Sequence, residues 1–417
     1  MNHTEICFLR FLACALKGVP ASDSAGLSQE EWQQLFSLAK QHHVLPLVLE
    51  AVCALPDVQN FELLPSVRQA VRKQVFLQTQ KTAETLQLLN ALEAAGVRPL
   101  VVKGIVCRSL YPMPDHRFSS DEDLLIAPGD LDICRQVFEQ FGLVTEFSPE
   151  RQKRDYEIPY RQPEGVLYIE LHRHLFPPES DAYGYLNQLF TDAASRAVCH
   201  RISGSAVYSL GHTDHLFYLI CHALKHFLHS GFGIRQVCDI LMYAQAFHAS
   251  VDWPLLLENC RRIHAYAFAA SLFRIGCRHL GFGPEIAPPE LTAAEIDEMP
   301  MLEDLIQAGI YGSSSESRLH SSNITLDAMA SRVSSRKEQN ALFLSLFPPA
   351  RKLEGRYPWL KEHPWLLPAA WARRAGTYCR DSLLQRPLDA ADSLRLGNTR
   401  ISLLKFYGLL DEPTKRK

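Results

Sequence analysis

Apolar side chains in the first 95 residues fall into helical stripes. Ser28, followed three residues later by Glu31, has the capping-box spacing, and it opens a helix through Trp32, Leu35, Phe36 and Leu38. Pro65-Ser66 starts a long helix that reaches Ala95, with Leu86, Leu89 and Leu92 on one stripe. Gly96 is placed to close it as a left-handed C′ residue. The apolar run from Ile6 to Leu16 is broken by Arg10 and followed by no convincing small-residue cleavage site. It reads as a core helix, not a signal peptide.

The pattern changes at residue 97. Runs at 99–102, 122–126, 143–147, 166–172 and 206–210 read as strands, and a helix from Gly129 to Phe141, stopped by Gly142, lies between the second and third. Strand–helix–strand alternation implies a mixed sheet covered by helices. Helical patterning then returns. His212 to His229 forms one helix, ended by Gly231 and Gly233, and Asp252–Leu280 holds one or two more. Pro284–Pro289 and Gly312–Ser322 read as loops. The last stretch sets Trp359, Trp365 and Trp371 among prolines and the basic residues Arg351, Lys352, Arg356, Lys361, Arg373 and Arg374. It reads as a subdomain that packs its tryptophans, because prolines interrupt any helix there; a peripheral membrane contact and an acceptor-binding surface are the alternatives. The expected fold class is α+β: a small mixed sheet flanked by an N-terminal helical region and a larger C-terminal one. The expected regions are 1–96, 97–210, 211–345 and 346–417, with no internal repeat.

Composition narrows the function classes. A chain of 417 residues exceeds what one core usually spans. A net charge of −3 argues against a broad nucleic-acid surface, which would make the chain basic. Eleven cysteines without a Cys-x-x-Cys pair support neither a zinc ribbon nor a disulfide framework, and they fit a reducing cytoplasm. No apolar run is long enough to span a bilayer.

The chemistry-bearing stretch runs from Lys103 to Ile126. Asp121 and Asp123 stand two apart at the start of an apolar run, and on a strand such residues share a face. Both carboxylates then aim at one place, as hard divalent cations such as Mg²⁺ require. Glu122, between them, points to the other face, with little catalytic effect expected. Upstream, a short strand ends in Lys103-Gly104, where a glycine lets backbone approach a phosphate. A third carboxylate is Glu170: in Leu167 to His172, Tyr168, Glu170 and His172 alternate with apolar neighbours, so Glu170 faces the open side of the sheet. If the two strands are adjacent, three acids converge. Strand, glycine turn, short helix and acidic strand together point to nucleotidyl transfer, in which two metal ions clamp the attacking and leaving oxygens.

The motif set Lys103-Gly104, Tyr111-Pro112, Arg117, Ser120-Asp121-Glu122-Asp123-Leu124-Leu125-Ile126 and Glu170-Leu171-His172 resembles bacterial nucleotidyltransferase-family proteins of the DNA polymerase β-like superfamily. The resemblance implies a palm-like sheet, a nucleoside triphosphate substrate and dependence on two Mg²⁺ ions, with Mn²⁺ as the alternative. It implies that Asp121 and Asp123 bind both metals, and that Glu170 binds the catalytic one and helps deprotonate the acceptor. Ser120 and Gly104 would contact the triphosphate, and Lys103 and Arg117 would neutralise its charge. The implied activity is transfer of a nucleoside monophosphate to a hydroxyl of a small molecule or a protein. A non-catalytic nucleotide-binding or regulatory module and a toxin-like protein-modifying enzyme are the alternatives.

Three further features read as structural. The histidines of the 212–229 helix, including His222 and His226 at i, i+4, form a stripe packed on the sheet; they lack the glutamate of a His-Glu-x-x-His protease. In a second reading, Lys225 or His226 lines the nucleotide cleft. Arg235 and Asp239, also at i, i+4, read as an ion pair, and Cys107 and Cys134 as small core residues.

Overall fold

The computed structural model describes residues 1–229, 231–308, 357–360, 362–373 and 399–410, with residues 326 and 350. The Gly312–Ser322 loop and the basic residues Arg351, Lys352, Arg356, Lys361 and Arg374 lie outside them.

Five helices precede the sheet: α1 (His3–Leu16), α2 (Gln29–Gln41), α3 (Leu45–Val52), α4 (Pro56–Gln59) and α5 (Leu64–Ala94). The expected capping box forms: Ser28 Oγ accepts the Glu31 N–H at 3.3 Å, and Glu31 Oε2 accepts the Ser28 N–H at 2.9 Å. The run from Ile6 to Leu16 lies within α1, which buries Phe8, Phe11 and Leu12. Phe11 stacks on Trp32 of α2 with centroids 5.6 Å apart. The α5 helix buries Leu86, Leu89 and Leu92 as the stripe predicts, and Gly96, at φ 89°, turns the chain out of it.

The central sheet has the order β1-β2-β4-β3. Its strands are β1 (Leu100–Val101), β2 (Glu122–Leu125), β3 (Glu157–Arg161) and β4 (Tyr168–His172). Strand β2 runs antiparallel to β1 and parallel to β4, and β3 runs antiparallel to β4. Between strands lie α6 (Gly104–Arg108), α7 (Leu131–Gln140) and α8 (Pro149–Arg154). Cys107 and Cys134 are core residues, as expected.

One strand differs from the sequence reading. Residues 143–147 contribute a single bridge, Val144 to Arg161, and the outer strand is β3 instead. Pro159 hid it, since proline cannot donate to a ladder. At an edge this costs nothing: the in-phase Arg161 sends its N–H outward to Val144 O at 2.9 Å, so the missing donor of Pro159 faces the same open side. The 206–210 strand also appears, as β6 (Ser205–Ser209), paired with β5 (Val198–Ile202) in a separate two-stranded hairpin. Ser203 and Gly204 turn it with φ 48° and 85°, the backbone that right-twisted hairpins favour.

The remaining helices are α9 (His212–His229), α10 (Ile234–Phe247), α11 (Trp253–Arg262), α12 (Tyr266–His279), α13 (Pro289–Thr292) and α14 (Met299–Ala308). The chain forms two units. The first holds residues 1–180, 184–224 and 232–310, and the second holds 181–183, 225–231 and the described part of 311–417. The first contains the sheet. In the second, Tyr357, Leu360 and Ala370 form a buried cluster against which Trp359 and Trp371 pack, whereas Trp365 is exposed. There too, buried Arg400 caps the end of α9 by donating to the carbonyls of Phe227 and, at 2.5 Å, His229. Among the described residues no helix is long and apolar enough to cross a membrane.

Candidate active site

Strand β2 divides its side chains between two faces. On the inner face Glu122 is fully buried. Its Oε1 takes the Arg108 guanidinium at 2.9 Å and the Ser119 hydroxyl at 3.3 Å, and its Oε2 takes the Ile105 N–H at 2.7 Å. That last bond satisfies a donor in the first turn of α6. It also accounts for Gly104, which has φ 49° and no room for a side chain: a Cβ there would lie 1.8 Å from Glu122 Oε2. The residue between the two aspartates thus anchors the Lys103-Gly104 turn from behind.

On the outer face Asp123 pairs in register with Glu170 of β4, so their side chains leave the sheet together. The β4 alternation is as expected, with Leu167, Ile169 and Leu171 in the core. His172 Nε2 lies 3.2 Å from Asp123 Oδ1 and 3.8 Å from Glu170 Oε2. Lys103 Nζ lies 3.1 Å from Asp123 Oδ1 and 3.1 Å from His222 Nε2 of α9. His222 is thus an α9 side chain that meets Lys103.

Electrostatics separate the two carboxylates. Burial alone would raise the Asp123 pKa, but Lys103 and His172 outweigh it and hold the carboxyl well below its usual range. Burial also opposes the charge on Lys103, and Asp123 with Asp121 outweighs it, so the ammonium stays protonated. For Glu170, burial and the neighbouring charges of Asp123 and Asp121 act together, and its carboxyl is pushed up to about 9.

The other residues of the motif are placed as follows. Asp121 lies just before β2, half-buried and in phase with Asp123, and Ser120 is exposed beside it. Arg117 is buried, and its Nε and Nη2 grip the two oxygens of Asp239 at 3.0 and 2.6 Å. Tyr111 donates to the same Asp239 at 2.8 Å, so the Tyr-Pro and Arg elements of the motif meet on one α10 carboxylate. The expected Arg235–Asp239 pair does not form. Asp239 is taken by Arg117, whose fork matches a carboxylate, and Arg235 donates to the Phe118 carbonyl instead.

Sequence reading missed a second set of positioning residues on α5. Gln78 Oε1 accepts the Ser119 N–H at 2.9 Å, and buried Lys81 donates to the carbonyls of Ser119 and Ser120 at 3.2 and 2.5 Å. Thr79 and Thr82 hold Asp115 at 2.7 and 2.9 Å. The helical stripe of α5 marks Gln78 and Lys81 as inward-facing, but nothing local says what they face.

Asp123, Glu170 and His172 each offer one ligand atom, all within 4.8 Å of one another. Asp123 Oδ2 is buried without a hydrogen-bond partner, an expensive state that a cation would relieve. Two carboxylates and an imidazole around an unpartnered oxygen fit a divalent metal ion.

No curated protein and no solved structure matches the chain. The model of the family described as uncharacterised nucleotidyltransferase matches residues 28–280, which span α2 to α12 and so include the whole sheet and every residue of this site. The chain belongs to that nucleotidyltransferase family, and its activity is nucleotidyl transfer.

Proposed function

We propose that the protein transfers a nucleoside monophosphate from a nucleoside triphosphate to a hydroxyl of a small-molecule acceptor, with Mg²⁺ or Mn²⁺ bound at Asp123, Glu170 and Asp121. The observation that carries this reading is the in-register Asp123–Glu170 pair with its unpartnered Asp123 Oδ2. A cation held there would supply positive charge to the phosphates and to the attacking oxygen. Ser120 and the Lys103-Gly104 turn border the triphosphate path. The acceptor oxygen forms a bond to the α-phosphorus as the bond to pyrophosphate breaks. Held by a cation, Glu170 would be ionised and would help take up the acceptor's proton; without one, burial and the charges of Asp123 and Asp121 keep its carboxyl protonated. Arg117 acts from behind, fixing Asp239 and the loop that leads to Asp121.

The acceptor's place is beside β3. A cleft lined by Arg151, Arg154, Tyr156, Glu157 and Glu179 opens there, and Glu157 Oε2 lies 3.9 Å from His172 Nδ1. Its polar lining suits a hydroxylated small molecule, and the near-neutral chain charge argues against a nucleic acid. The ten described cysteines are all free, which supports a reducing compartment such as the cytoplasm.

Pyrophosphate release tests the reading. Wild type and an Asp121→Ala, Asp123→Ala double variant are incubated with each ribonucleoside triphosphate, Mg²⁺ and a metabolite extract. Release by wild type alone is expected and identifies the base. Equal silence from both, across Mg²⁺, Mn²⁺ and several extracts, would sink it in favour of a nucleotide-binding module.

A further inference from the structure

The cations around the segment from Arg117 to Asp121 are not evenly matched. Arg108 has Glu122, Arg117 has Asp239 and Lys103 has Asp123. Arg235, on the first turn of α10, has no carboxylate within ion-pair distance among the described residues. Its Nη1 donates to the Phe118 carbonyl, and its Nε is buried and donates to nothing. Burial and the nearby Arg117 charge both weigh against its cation. A half-buried guanidinium whose buried Nε donor is free is a costly arrangement unless an anion arrives to complete it.

The surroundings suit such an anion. Lys81 holds the carbonyls of Ser119 and Ser120, so two cations grip this short segment from α5 and α10, while Ser120 itself is exposed. His43, in the turn between α2 and α3, packs edge-on against Phe118 with centroids 5.0 Å apart. It does so with φ 55°, a strained backbone for a residue with a side chain. Along the chain, Asp123, Asp121, Ser120 and Phe118 lead from the carboxylate cluster to Arg235.

We propose that Arg235 is the binding residue for the β- and γ-phosphates of the substrate. With the α-phosphorus at the carboxylates, the rest of the triphosphate runs over Ser120, and the Arg235 fork takes its terminal oxygens. The inference rests on the nucleotidyltransferase reading and extends it, naming the residue that prefers a triphosphate to a monophosphate.

The probe is inorganic tripolyphosphate with Mg²⁺, which avoids any dependence on base or acceptor. Titration calorimetry compares wild type with Arg235→Gln and Arg235→Lys, each checked for folding by circular dichroism. Loss of a charged hydrogen bond predicts affinity at least about tenfold weaker in Arg235→Gln, with partial recovery in Arg235→Lys. The triphosphate KM should rise by a similar factor, with kcat changing less. Wild-type binding that Arg235→Gln matches within twofold overturns the role of Arg235 alone. Failure of wild type to bind tripolyphosphate or any nucleoside triphosphate overturns the underlying reading. A measurement free of variants uses the arginine Nε–H signals of ¹⁵N-labelled wild type. A buried, slowly exchanging signal should shift on adding tripolyphosphate, and an unmoved set of buried arginine signals would refute the proposal.

Discussion

Glu122 and Asp123 are adjacent acids on one strand, and their two faces behave oppositely. Both oxygens of Glu122 are occupied, by a guanidinium, a hydroxyl and a backbone N–H. Asp123 shares one oxygen between Lys103 and His172 and leaves the other buried with no partner. The same contrast holds for two buried histidines. His42 donates from Nε2 to Ile306 O at 3.2 Å and accepts the Ile234 N–H on Nδ1 at 3.4 Å, whereas His172 Nδ1 has no hydrogen-bond partner. Glu122 and His42, with their acceptors and donors matched, maintain the fold; the unpartnered oxygen of Asp123 is one that a cation would complete.

The largest expected effect breaks the outer face. Asp123→Ala should lower kcat for nucleotidyl transfer by about a thousandfold, since it removes several kcal/mol of charge stabilisation, as measured by pyrophosphate release. It also strands the Lys103 ammonium, so urea unfolding should show a cost of about 1–3 kcal/mol. An Asp123→Ala variant that keeps its kcat would refute the contrast.

Glu122→Ala should act chiefly on the fold. It strands the Arg108 guanidinium, fully buried at 1% exposure, and should cost about 3–5 kcal/mol in urea unfolding. Glu122→Ala that melts like wild type would show that the inner face is not the anchor.

Next comes pH. Burial drops the His42 pKa to about 4 from 6.5. Between those values the unfolded chain binds a proton that the folded chain does not, so stability falls as pH falls through this window. The loss from His42 reaches about 3 kcal/mol below pH 4. His42→Asn, which cannot be protonated, should flatten that part of the urea-midpoint curve.

The smallest effect concerns the turn. Gly104→Ala puts a methyl group onto Glu122 Oε2 at a positive φ, and should cost about 1–3 kcal/mol. Combined with Glu122→Ala, the penalty should shrink, because the clashing carboxylate is gone; strict additivity in urea unfolding would disprove the coupling.

The failures of sequence reading trace to particular residues. The β3 strand was hidden by Pro159, which an edge tolerates, while the alternation at 143–147 looked like a strand and yields one bridge. Arg235 and Asp239 have the spacing of a helical ion pair, yet Asp239 is claimed by Arg117, 122 residues away. Helical periodicity marks Lys81 as inward-facing, but its partners, the Ser119 and Ser120 carbonyls, come from another element.

The sequence by itself determined the local structure and the chemistry on offer. Capping pairs, glycine stops and apolar periodicity place the helices at Ser28, Gly96 and Gly142, and alternation on β4 puts Glu170 on the outer face. These follow from hydrogen bonds and side-chain direction within a few residues. The tertiary structure alone decided which charges meet: Asp123 beside Glu170 through a parallel pairing, Lys103 between Asp123 and His222, Asp239 on Arg117, and Arg235 left unmatched. Buried charge pairing depends on distances across the fold, and in a low-dielectric interior those distances, not the order of residues along the chain, set which group is spent and which is left for the substrate.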